Sequence, residues 1–237
     1  MPLKGGSREL REIDRWDGGV GWLAHPDERM QRASHALAVD PSSPSTPRTP
    51  TDRDVWVVDP VDAPELDDLL AALGDVVGVV VCLDRHTRDA AAVATRHDVP
   101  VYVPAWMSGV AAGLDAPVER FDRTLGDSGY RVLRVRDTSI PPWREAALFD
   151  GETLLVPEAV GTAPYYRAGD EPLGVHPMLR PFPPRRALGG LDPDRVLVGH
   201  GAGVFDDAAT ALREALANAR RRAPAAYLRA VRELVGG

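Results

Sequence analysis

Between residues 55 and 103 the chain alternates short β-branched runs with amphipathic stretches, and few architectures accept that order. Val55-Trp-Val-Val58 reads as a buried strand, and Asp59-Pro60 as the turn that ends it. Ala63–Leu73 reads as a helix: Pro64 suits a first turn, acidic residues sit near the positive end, and Gly74 stops it. Val76–Leu83 is a near-continuous apolar run, the pattern of a strand covered on both faces. A second helix starts at Thr87 or Asp89 and runs through Ala90–Ala94 to about His97, and Val99–Val103 is the next strand. Strand, helix, strand, helix, strand requires right-handed crossovers and therefore a mainly parallel local sheet carrying helices.

The flanks of this unit are less regular. Gly19–Ala24 is short and apolar, and Arg32–Val39 alternates polar with apolar residues, so both read as strands. Pro41–Pro50 holds four prolines and five hydroxyl residues in ten positions, a solvated loop joining that strand to Val55–Val58 as a long hairpin. Further on, Tyr130–Val135 reads as an exposed strand with Asp137 just beyond its end. Asp150-Gly151 turns Ala146–Phe149 back into Thr153–Val156. Gly161–Pro184, rich in proline and aromatic residues, reads as an irregular surface segment. Arg195–Val198 is a last strand, followed by helices Ala208–Arg222 and Ala225–Val235 separated near Pro224.

Composition narrows the functional classes. Hydrophobic residues make up 44% of the 237 and charged residues 27%, which is ordinary globular usage. The 28 basic and 35 acidic residues leave a formal charge of −7, which disfavours nucleic acid as a partner. No window approaches the roughly 18 apolar residues of a membrane span, so no membrane association is expected. The start has no apolar signal-peptide core, and a single cysteine, Cys82, allows no internal disulfide; both point to the cytoplasm. Lys4 is the only lysine, a bias that suits a halophilic surface and equally a GC-rich codon usage.

Chemistry concentrates where strands end. Leu83-Asp-Arg-His-Thr-Arg-Asp89 lies where a buried strand empties into a helix, the place where α/β sheets put their sites. Asp84 and His86 are two apart, and Asp89 falls at the helix start. Such carboxylates and imidazoles suit a divalent metal with a carboxylate moving a proton, or simply a capped helix with His86 and the arginines in solvent. His200 stands between Gly199 and Gly201 after another strand, and Glu158 follows Thr153–Val156. There is no nucleophile elbow, and a phosphate-binding loop with its lysine is impossible with the only lysine at position 4. Tyr165-Tyr166-Arg167 reads as surface packing or a pocket wall, and His176 has no partner spacing.

In order, these segments resemble the metallo-β-lactamase superfamily across residues 16 to 205 or so. The carrying stretches are Val55-Trp-Val-Val-Asp59; Asp84-Arg-His86-Thr-Arg88-Asp89, set against a His-x-His-x-Asp-His loop; Asp137-Thr-Ser-Ile-Pro141; Pro157-Glu158; and Gly199-His200-Gly201. The resemblance implies an α/β fold, a four-layered αββα sandwich, in one domain spanning 1–237 with a Pro/Ser/Thr-rich loop at 41–53. It also implies a substituted site. Asp84 replaces the first histidine, Arg88 the metal-binding aspartate and Asp89 the third histidine, while Asp137 or Ser139 takes the place of the intermediate histidine. Glu158 would stand in for the bridging aspartate, and His86 and His200 remain. A fixed guanidinium charge at Arg88 argues against a second cation, so a standard dizinc hydrolase is not expected.

Two readings remain. In one, Asp84, His86, Glu158 and His200 hold one divalent metal (Mn, Fe, Mg or Zn), with Asp89 for proton transfer. The protein then hydrolyses a small-molecule ester, amide or phosphoester. In the other, no metal is bound: Arg88 pairs with Asp84 or Asp89, and the scaffold serves binding or regulation.

Overall fold

A computed structural model describes residues 2–40 and 52–235. The first half forms β1 (Arg11–Trp16), β2 (Gly19–Leu23), β3 (Ala33–Val39), β4 (Asp54–Val58), α1 (Leu66–Ala71), β5 (Asp75–Val80), α2 (Ala90–Arg96), β6 (Val101–Pro104) and β7 (Val118–Phe121). These strands make a seven-stranded sheet in sequence order, antiparallel from β1 to β4 and parallel from β4 to β7. The crossovers expected from the strand–helix rhythm are therefore present.

The second half supplies β8 (Arg131–Ser139), β9 (Pro142–Phe149), β10 (Thr153–Val156), β11 (Val160–Gly161), β12 (Gly174–Val175), α3 (Arg185–Leu188), β13 (Arg195–Val198), α4 (Ala208–Asn218) and α5 (Ala223–Val235). A four-stranded sheet has the order β13-β10-β9-β8, with β10 and β13 parallel; β11 and β12 form a separate two-stranded ribbon.

Period-2 alternation sorts the core into layers. Val55, Val57, Val79 and Val81 face Leu66 and Leu70 of α1 and Val93 of α2. Trp56, Val58, Val80 and Cys82 turn the other way and meet Leu148, Leu155 and Leu197 of the smaller sheet. The far side of that sheet, Ala147, Phe149, Leu154, Val156, Val196 and Val198, packs on Leu212 and Leu216 of α4. Helix, sheet, sheet, helix is the expected sandwich.

Several local expectations need correction. Residues 41–51 of the anticipated hairpin loop lie outside the described residues, although β3 and β4 on either side are antiparallel neighbours. α1 begins at Leu66 rather than Ala63, because Glu65 adopts a left-handed backbone with φ +62°. Asp137 is not at a strand end: β8 runs on to Ser139, and Asp137 pairs there with Arg134 and Arg144 on the exposed hairpin. Ser139 is exposed and pairs with Pro142 at the hairpin tip. The final helices divide at Ala219–Arg222, and Pro224 sits in the first turn of α5, where its missing N–H costs nothing.

Candidate metal centre

The centre is assembled from strand ends of both sheets. β4 delivers Asp59, which has a left-handed backbone at φ +46°. Its Oδ1 accepts from Cys82 N (2.8 Å) and its Oδ2 meets His86 Nδ1 (3.1 Å). His86 follows β5 through a turn closed by its own N–H on Leu83 O (2.9 Å). Glu158 and His200 come from the other sheet. Because β10 and β13 are parallel with Val156 opposite Val198, both residues lie two positions past matched strand ends. His200 Nδ1 meets Met30 O at 2.8 Å.

Those partners fix the proton on each ring. A carbonyl oxygen only accepts, so His200 carries its hydrogen on Nδ1; the Asp59 carboxylate assigns the same tautomer to His86. A ring that carries no second proton then offers a lone pair at Nε2. Both Nε2 atoms face one oxygen, Glu158 Oε2, at 3.0 Å from His86 and 3.2 Å from His200. One ligand atom from each of the three side chains lies within 4.8 Å of the others, and all three residues are buried. Burial lowers His200 despite the neighbouring carboxylate.

His176 has the opposite tautomer. Its Nδ1 accepts from Met178 N (3.2 Å), which leaves the hydrogen on Nε2, 3.5 Å from Glu158 Oε1. It presents a donor and is not a ligand; burial lowers it to about 4. Trp143 packs edge-on against it at 5.0 Å, and Arg85 lies 4.2 Å above the Trp143 ring. Tyr166 is fully buried and stacks on His200 at 5.4 Å, so it belongs to the wall of the site rather than to surface packing.

Of the residues singled out in the sequence, His86, Glu158 and His200 converge. Asp84 does not join them: its Oδ2 accepts from Arg144 N (3.1 Å), tying the turn to β9. Asp89 precedes α2 without capping it by its side chain, and its Oδ2 accepts from Asp62 N (2.8 Å). Nor does Arg88 pair with either carboxylate. Its guanidinium donates to Ala33 O (2.6 Å), Asp59 O (2.8 Å) and Gly199 O (3.3 Å), and Nη2 stands 3.4 Å from His86 Nε2. The solvent-facing alternative for His86 also fails, since it is 6% exposed. Spacing set His176 aside, and Glu145 was not singled out; the one available signal for it was a glutamate on the inward parity of an otherwise apolar strand.

No protein-family model and no curated protein matches the sequence. Solved structures do match in three dimensions. DIM-1 metallo-β-lactamase superposes over 89% of this chain and 98% of its own at TM-score 0.51 and 12% identity. A point mutant of the flavo di-iron protein from Thermotoga maritima gives TM-score 0.60 at 12% identity over 90% of this chain and 63% of its own. A putative diflavin flavoprotein fragment from Nostoc sp. gives TM-score 0.59 at 12% identity over 93% and 99%.

The chain has the metallo-β-lactamase fold. In this metallo-β-lactamase-fold chain the converging group is two imidazoles and one carboxylate, with an arginine where the resemblance sets a metal-binding aspartate. No helix among the described residues is long and apolar enough to cross a membrane.

Proposed function

We propose that this is a one-metal variant of the fold, in which His86, Glu158 and His200 hold a single divalent ion and Arg88 supplies the neighbouring fixed positive charge. The carrying observation is the convergence of His86 Nε2 and His200 Nε2 on Glu158 Oε2 at 3.0 and 3.2 Å, three electron-rich atoms that are reconciled by a divalent cation among them or by a second proton on a ring. Two nitrogens and one oxygen suit Mn, Fe or Zn better than Mg, which prefers oxygen alone.

Such an ion, when bound, lowers the pKa of a coordinated water and polarises a carbonyl or phosphoryl oxygen, the chemistry of ester, amide or phosphoester hydrolysis. The chain's own part is orientation and exclusion. Asp59 and Met30 O lock the two rings, Tyr166 covers His200, and Arg88 ties three strand ends around the site. All three ligating residues are less than a tenth exposed, which favours a small substrate group over a bulky one. Asp84 and Asp89 are left out of this scheme, since both carboxylates are engaged by backbone N–H groups.

A metal-free scaffold is the second reading. It draws on the 3.4 Å approach of Arg88 Nη2 to His86 Nε2, where a guanidinium N–H can donate to that lone pair. Elemental analysis of protein purified without metal-affinity resin separates the two. About one equivalent of metal per chain, lost in His86→Ala and His200→Ala, is expected. Absence of metal, together with no thermal stabilisation by any of a panel of divalent ions, would sink the one-metal reading.

A further inference from the structure

Glu145 is 0% exposed, and its carboxylate touches none of the three proposed ligand atoms. It lies on β9 in the same parity as Trp143, Ala147 and Phe149, positions that otherwise feed an apolar core. A buried carboxylate costs several kcal/mol unless hydrogen bonds compensate it, and this one accepts three. Oε1 accepts from Glu158 N (2.8 Å) and Ala159 N (2.7 Å), and Oε2 accepts from Trp143 Nε1 (2.8 Å).

We infer that Glu145 is the positioning residue of the centre, fixing Glu158 so that a single oxygen, Oε2, is offered between His86 and His200. This rests on the one-metal reading. Control is exerted at both ends of Glu158. At the main chain, Glu145 holds the two successive N–H groups that set where the side chain departs. At the carboxylate, Glu145 anchors Trp143, Trp143 supports Arg85 at 4.2 Å, and Arg85 Nη2 lies 3.6 Å from Glu158 Oε1. With His176 Nε2 also on Oε1 at 3.5 Å, that oxygen is occupied and Oε2 is the one left to His86 and His200.

The same strand is stitched to the segment that leads to His86. Ala146 N donates to Cys82 O (2.8 Å) and Asp84 N to Arg144 O (3.0 Å), and Leu83 bridges Glu145 itself. Glu145 thus sits between the two chain segments whose ligands must meet.

Cobalt(II) is the probe, titrated calorimetrically and by its visible absorption into the metal-stripped full chain. In Glu145→Gln the amide has one oxygen, so it cannot serve both backbone N–H groups and the Trp143 N–H; its NH2 must oppose a donor. This variant is expected to bind cobalt about 10- to 100-fold more weakly than the parent, with altered absorption bands. Removing the opposed donor should rescue it: Glu145→Gln combined with Trp143→Phe is expected to bind within about threefold of Trp143→Phe alone. If Glu145→Gln alone fails to fold, Glu145→Asp takes its place: its shorter carboxylate cannot reach Glu158 N, Ala159 N and Trp143 Nε1 together, so the same weakening of cobalt binding is expected, and parental affinity and spectrum would overturn the inference. Parental affinity and spectrum in Glu145→Gln, even with a lowered melting temperature, would reduce Glu145 to a structural carboxylate and overturn the inference alone. A parent chain that binds no cobalt would overturn the one-metal reading and this inference with it.

Discussion

Ala33, Asp59 and Gly199 each turn a carbonyl oxygen toward the guanidinium of Arg88, and each stands at the end of a different strand. Arginine suits this better than lysine, because a planar fork reaches several acceptors where an ammonium is a single point. The side chain departs from a left-handed backbone at φ +39°, a strain of order 1–3 kcal/mol that the surrounding contacts must outweigh. Hydrogen bonds from a charged donor contribute about 1.5–3 kcal/mol each, and carbonyls left without a partner carry a desolvation cost. Arg88→Met should therefore lose about 3 kcal/mol in urea unfolding with an unchanged m value. A midpoint equal to the parent's would mean that water replaces the guanidinium at no cost. The same residue shows where the sequence was silent: spacing placed Arg88 beside Asp84 and Asp89, but no local pattern encodes three carbonyls contributed from residues 33, 59 and 199.

At the scale of elements, the segment before β3 acts as a bracket for His200. Glu28 Oε1 and Oε2 hold Arg32 Nε at 2.9 and 3.1 Å, and the carboxylate also accepts from Arg32 N (2.8 Å) and Gly5 N (2.9 Å). Met30, within that bracket, meets His200 Nδ1. Burial pushes the Glu28 carboxyl up, but Arg32 and the two backbone donors offset this and leave it below its unfolded value of 4.5. A depressed folded value means that the stabilisation is complete above 4.5 and disappears as the pH falls through the folded value. Glu28→Gln is expected to cost about 2 kcal/mol near neutral pH. Its thermal-melt deficit relative to the parent should shrink on acidification below about pH 4; a deficit constant across that range would rule the ion pair out as its cause. Elements with a buried face were legible in the sequence, as β4, β5 and β6 show. β1 and β7 were not, because as edge strands with half their residues exposed they carry no clean alternation. His86, Glu158 and His200 could be read because each follows a strand. Glu145 and His176 could not, since their roles depend on partners brought near only by the fold.

On the scale of the whole molecule, His86 is carried by the larger sheet, and Glu158 and His200 by the smaller one. Between the sheets lies a common layer that includes Trp56, Leu148, Leu155 and Leu197. Occupancy of the centre should therefore register in global unfolding rather than in a local loop. An ion at about 100 times its dissociation constant adds roughly 2.7 kcal/mol to the folded state. Stripping by a chelator should lower the melting temperature of the parent chain and leave that of His86→Ala unchanged. A chelator effect of equal size in both proteins would place the responsive ion elsewhere.

The matched register of β10 and β13 has a consequence for how this chain tolerates change. Glu158 and His200 are delivered side by side because their strands run in the same direction and finish level, Val156 opposite Val198. A one-residue insertion or deletion within either strand would reverse every inward and outward side chain and shift one donor about 3.3 Å along the sheet. Lineages that retain the centre should consequently place their length variation in the connections, keeping these two rungs aligned like the jaws of a vice.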